Sequence, residues 1–204
     1  VSTLKELFAG RRDLFRGLWI EQRQDWTPHP VIHLDASLIP HDTEARLTAG
    51  LLEFCQQVAE QHGLKLRAKE YDAAFAELIR RLAERSGVNV AVLIDEYDKP
   101  ILDALPDVAA ARRQRDILKN FYEILKGSDP FLRFVFITGV SKFSKVSVFS
   151  GLNNLRDITL SPRFATLTGY TQDELERDFD ERLRQTCLQH GLTRDALLAE
   201  IRRW

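Results

Sequence analysis

The sequence of 204 residues contains no methionine, only two cysteines and almost no net charge. Each shortage excludes something. Cys55 and Cys187 stand alone, in no CxxC and beside no histidine cluster, which argues against a disulfide framework or a zinc site and fits a reducing cytosol. Lys and Arg number 29 against 30 Asp and Glu, a net charge of -1, so no overall positive field holds nucleic acid non-specifically. No apolar run approaches the about 18 residues of a membrane span, and no signal-peptide pattern opens the chain. A cytoplasmic protein without membrane contact is the expectation. There is no GxSxG and no Cys–His pairing, so covalent hydrolase chemistry has no support. Nor is there a GxxxxGK followed by Ser or Thr, the loop that cradles phosphates as it opens a helix. Gly10-Arg11-Arg12 and the Thr138-Gly139 turn do not replace it.

What is present describes a globular chain, 44% hydrophobic and 29% charged, long enough for one domain that buries roughly 70% of its extended-chain surface. Leu4, Leu7 and Phe8 recur at helical spacing before Gly10, and the pattern is already under way at Val1. The chain ends as abruptly, at Ile201-Arg202-Arg203-Trp204, and reads as a piece of a longer protein. Val31, Ile32 and Leu34 read as a short buried strand after Pro28 and Pro30. Asp42 or Thr43 can cap a helix carrying Leu47, Leu51, Phe54 and Val58, and a second helix carries Tyr71, Phe75, Leu78, Ile79 and Leu82. Residues 88–94 are apolar nearly throughout, as a strand covered on both faces of a parallel sheet would be. A helix through Ile117, Phe121 and Leu125 leads to a strand at 131–137, and Ile158-Thr159-Leu160 suggests a weaker one. After Gly169 the pattern is helical, with a Thr171/Glu174 capping box and Thr193 as a later cap. Alternating strands and helices imply an α/β parallel sheet with a small helical C-terminal portion, divided near 165–170.

Two stretches can carry chemistry. In AVLIDEYDKP (91–100) the apolar run stops at Asp95-Glu96, and ligands of open α/β sheets bind beyond the carboxyl ends of strands. An acidic pair there suits phosphate chemistry, one carboxylate holding Mg²⁺ and the next orienting a water. The plain alternative is a solvated turn closed by Tyr97 and Pro100. The second stretch, TGVSKFSKVSVFSGLNNL (138–155), sends hydroxyls, lysines and paired asparagines out of a buried strand, as contact with a γ-phosphate requires. Its alternative is a polar surface loop. His33 and Asp35 alternate along a strand and read as one polar edge. His29, His41, His62 and His190 read as isolated and exposed, and Arg112, Arg113 and Arg115 as a solvated helix face.

VLIDEYDKPILD (92–103), LKNFYEILK (118–126), RFVFITGVSKFSKVSVFSGLNNLRDITL (133–160) and TLTGYTQDEL (166–175) together resemble the bacterial AAA-ATPase-like family, over essentially the whole chain. In that family a P-loop ATPase domain precedes a PD-(D/E)XK nuclease-like domain. The resemblance implies an ATPase-like core over 1–168 without its first strand and P-loop, and the start of a helical lid over 169–204. It implies a P-loop NTPase-type parallel sheet with helices on both faces. The strands at 31–35, 88–94 and 131–137 would be successive neighbours, with the missing first strand beyond the last of them. It assigns Asp95 to Mg²⁺ and ATP, Glu96 to activation of the attacking water, Thr138 to a sensor position, and Ser141 and Lys142 to nucleotide contact. The implied function is ATP binding and hydrolysis that drives or gates the attached nuclease-like domain, with nucleic acid reached only through that domain and homo-oligomers among the expected states. A non-catalytic scaffold on a degenerate ATPase fold is the alternative.

Overall fold

A computed structural model describes residues 1–140, 148–149, 152, 155–167 and 169–203. The chain divides into two units, residues 1–155 and 156–204.

The first unit is built on three parallel strands, β1 (Val31–Asp35), β2 (Val90–Asp95) and β3 (Leu132–Ile137), in the order β1-β2-β3. Val90 through Ile94 are wholly buried, because β2 lies between the other two and is covered on both faces. Period-two alternation sorts the side chains. Ile32 and Leu34 of β1, Val92 and Ile94 of β2, and Val135 and Ile137 of β3 share one face, as the register Ile32↔Val92 and Val92↔Val135 requires. Three amphipathic helices, α2 (Glu44–Gln61), α3 (Tyr71–Ser86) and α5 (Val108–Gly127), pack on one another and close this core. Leu47, Leu51 and Cys55 come from α2, Phe75, Leu78 and Leu82 from α3, and Leu118, Phe121 and Tyr122 from α5. Phe75 and Phe121 stack at 4.3 Å between ring centres. Each helix starts or stops where its sequence says: Thr43 accepts a hydrogen bond from the Arg46 amide, Asp107 caps α5, and Gly87 ends α3 at a positive φ.

The opposite face carries Val31 and His33, Ala91 and Leu93, and Phe134 and Phe136. It is covered more thinly, by the seven-residue α1 (Ser2–Phe8), whose Phe8 stacks on Phe134 at 5.0 Å. Gly10 follows at φ +75, where the chain turns back so tightly that a Cβ would meet the Trp26 carbonyl at 2.9 Å. Between β2 and α5 lies a short helix, α4 (Lys99–Asp103), with Pro100 in its first turn. The sequence pattern had merged it with a turn.

The α/β class, the parallel sheet and the neighbour order match the expectation, and the order is consistent with a P-loop-like fold. The expected weak strand at 158–160 is not there. The Asp157 carboxylate accepts the Thr159 amide at 3.0 Å and Ser161 donates to the Ile158 carbonyl at 3.1 Å, so a turn replaces the extended chain. Leu160 is exposed instead of packed.

The second unit is helical: α6 (Gln172–Asp178), α7 (Asp180–His190) and α8 (Arg194–Ile201). Both halves of the Thr171/Glu174 capping box form, and Thr193 caps α8. Leu183, Leu197 and Leu198 make its small core. Arg194 ties α8 to Asp180 at 2.6 Å.

Candidate functional site

The candidate site grows out of the carboxyl ends of the sheet. Asp95 is the last residue of β2, and its register partner on β1 is Asp35, so two carboxylates end adjacent parallel strands. Asp35 is occupied locally: one oxygen accepts the Ser37 amide at 3.0 Å and the Ser37 hydroxyl at 2.6 Å. Asp95 is held from the other side. The Thr138 hydroxyl, just past the end of β3, donates to Asp95 Oδ1, and the Glu96 amide donates to the same oxygen at 3.2 Å. The sequence-derived candidates Asp95, Glu96 and Thr138 therefore lie together across two strand ends. Ser141 and Lys142 fall outside the described residues.

Glu96 adopts φ +50, a left-handed conformation that costs a non-glycine residue about 1–2 kcal/mol. This breaks the strand's alternation at the residue after Asp95, turning the chain out of the sheet and into α4. The turn is knitted to the end of β3. Thr138 donates its amide to the Ile94 carbonyl at 2.9 Å, Tyr97 donates to the Thr138 carbonyl at 3.0 Å, and Val140 donates to Asp98 Oδ1 at 3.2 Å. Asp98 is fully buried. Gly139 fits between them: a Cβ there would collide with Asp98 Oδ1 and stand 2.6 Å from the Tyr97 ring. The Tyr97 ring in turn packs at a tilt against Phe149, with 4.7 Å between ring centres, and the Tyr97 carbonyl accepts the buried Tyr122 hydroxyl at 3.1 Å. Burial pushes the Tyr122 phenol well above its ordinary range, so it stays a neutral donor.

His33 shares this face of the sheet, two residues before Asp35. Burial, helped by Lys5 of α1, holds its imidazole pKa down, against the opposing pull of Asp95 and Asp35, and its Nε2 is buried with no partner among the described residues. His41 is neither isolated nor fully exposed as the sequence suggested: its Nε2 meets Asp103 at 2.9 Å. Arg113 pairs with Glu44 of α2 and Arg115 with its neighbour Asp116, so both belong to ion pairs within the chain.

Sequence reasoning missed the roles of Asp35, Asp98 and Gly139. The signal for Asp98 was its spacing, three residues after Asp95 in a turn with nowhere solvated to go. That for Gly139 was a glycine directly after the strand. Asp35 needed the register, which no local pattern contains.

A sequence model of the family described as "Predicted AAA-ATPase" matches residues 1–149. A curated relative from Azotobacter chroococcum mcd 1, described as "Uncharacterized protein in vnfD 5'region", is 44% identical over 209 residues. That alignment takes in 100% of this chain and 38% of the relative, so the chain spans well under half the length of the protein it matches. No solved structure matches it. With the family match covering most of its length, the chain belongs to the AAA-ATPase-like family of predicted AAA-ATPases.

Proposed function

We propose that this chain is the ATP-binding and ATP-hydrolysing core of an AAA-like ATPase of the P-loop type. The observation that carries the reading is the convergence of Asp95, Glu96 and Thr138 at the carboxyl ends of neighbouring parallel strands, with the Thr138 hydroxyl on Asp95. Among the described residues no three His, Cys, Asp or Glu side chains gather into a metal cage. That suits magnesium, which takes one or two carboxylates from protein and its other positions from phosphate and water. Bound there, Mg²⁺ supplies charge neutralisation to the phosphates. The roles of the chain's own groups follow from their chemistry. Asp95, oriented by Thr138 on one oxygen, keeps its other carboxylate oxygen without a hydrogen-bond partner among the described residues. Glu96, turned out of the sheet by its left-handed backbone, accepts a proton from an attacking water. Thr138 couples the end of β3 to the state of Asp95. Within a longer protein the core would drive or gate a nuclease-like domain, and Ser141 and Lys142 would reach the nucleotide.

The reading needs backbone N–H groups and a lysine around the phosphates, and the 204 residues contain no GxxxxGK loop. The chain alone should therefore turn over no Mg-ATP, and turnover abolished by Asp95→Ala would overturn that. Joined to a segment that supplies the loop, Glu96→Gln should bind ATP yet hydrolyse it about 10²- to 10⁴-fold more slowly. Asp95→Ala should weaken Mg-ATP binding itself. Unchanged turnover in Glu96→Gln would remove Glu96 from the chemistry and favour a scaffold.

A further inference from the structure

Away from the strand ends, a cleft of about 740 Å³ opens between the loop after β1, the end of α4 and the start of α5. Its volume is in the range of small-ligand sites. Its walls are mixed: Pro40 and Pro106 give apolar surface, while Asp42, Asp103, Asp107 and Arg46 bring charge. The hydrogen-bonding capacity of this lining is unevenly spent. The donors are used: Arg46 sits on Asp42 at 2.8 Å, His41 Nε2 on Asp103 at 2.9 Å, and the Gln114 amide NH₂ on the His41 carbonyl at 2.6 Å. Among the acceptors, Asp103 is spent on both oxygens, by His41 and by Lys99 at 2.5 Å, whereas Asp107 is only half-spent. Asp107 caps α5 through Oδ1 alone, accepting Ala109 at 2.9 Å and Ala110 at 3.1 Å, which leaves its second oxygen without a partner among the described residues.

Gln114 is the second, independent observation. The residue is only 3% exposed and lines the cleft, and its Oε1 is buried without a partner among the described residues. The His41 carbonyl fixes which end of the amide is which, since only NH₂ can donate to it. An orphaned buried acceptor destabilises the fold, and a ligand donor would relieve it.

We infer that this cleft is a binding site for a guanidinium group on an aliphatic stem, the head meeting Asp107 and Gln114 and the stem lying on Pro40 and Pro106. Asp42 already holds Arg46, and Asp103 holds Lys99 and His41, so Asp107 is the carboxylate that selects a cation. Its second oxygen and Gln114 Oε1 together select N–H donors in one plane, which a guanidinium supplies and an ammonium does not. The same chemistry arises from a free guanidino amine or from an arginine side chain of a polypeptide. The site needs no nucleotide, so it stands or falls separately from the ATPase reading.

The test titrates the 204-residue chain with agmatine and with the tripeptide acetyl-Gly-Arg-Gly-amide, by calorimetry and amide chemical shifts. Saturable binding is expected, with shifts at Asp107, Ala110 and Gln114, and none with 1-pentanol. Asp107→Asn keeps the helix cap but not the charge and should weaken binding about tenfold, as should Gln114→Met. Tighter binding of the tripeptide would assign the guanidinium to a polypeptide, and tighter binding of agmatine to a free amine. Absence of saturation by both ligands, or an Asp107→Asn chain that folds and binds as tightly as the parent, would overturn the proposal.

Discussion

Two residues, His33 on the sheet's thinly covered face and Glu96 just past the end of β2, sit against their own preferences, and each makes a measurable claim. The His33 imidazole pKa lies below its ordinary 6.5, first through burial and then through Lys5. The folded state therefore binds a proton less readily than the unfolded chain, so its stability is intact above pH 6.5 and falls as pH drops from there through the folded value. Urea titrations between pH 7.5 and 5 should show that loss, and a His33→Gln chain should show less of it. Identical slopes would mean that His33 does not contribute. Glu96 occupies a left-handed backbone that glycine would adopt freely. Glu96→Gly should leave stability unchanged or raise it by up to about 1 kcal/mol, unlike most substitutions. A clear loss in the urea midpoint would show that the glutamate is there for the fold and not for chemistry.

At the scale of elements, the join between the β2 turn and the end of β3 depends on a missing side chain. Gly139→Ala would push a methyl into Asp98 and the Tyr97 ring, neither of which has room to retreat. Overpacking of this kind costs about 1–3 kcal/mol, to be read from equilibrium unfolding, and a cost below about 0.5 kcal/mol would show that the join is loose. Much of this architecture was legible beforehand. Val90–Ile94 stands out as a continuous apolar run and Leu132–Ile137 as one broken only by Arg133, and Thr43, Gly87 and Thr171 mark helix ends, because those signals are local. Asp95, Glu96 and Thr138 stand out as candidates for the same reason: each lies where an apolar run stops. Asp35 opposite Asp95, Asp98 under Val140 and Gln114 under His41 do not, since each depends on segments 42 to 73 residues apart in sequence or on strand register. Ile158–Leu160 was misread because its apolar pattern outweighed the turn that Asp157 makes with the Thr159 amide.

Over the first unit as a whole, the two faces of the sheet are covered unequally. Three long helices pack on one face and the seven-residue α1 on the other, while on β3 the side chains of both faces, Val135 and Ile137 as well as Phe134 and Phe136, are half-buried. Among the described residues β3 pairs only with β2, which leaves its outer edge open, with exposed Arg133 as its charged guard. The Tyr97, Thr138 and Val140 amides all donate between the two segments, to a carbonyl or to buried Asp98. In deuterium exchange these three amides should therefore open as one cooperative unit, with a common free energy and a common response to denaturant, distinct from that of α1. Asp98→Ala should speed exchange at Val140 and draw Tyr97 and Thr138 after it. If Val140 alone quickens, the strand ends breathe independently, and a signal at one carboxylate has no route through the backbone to the other strand.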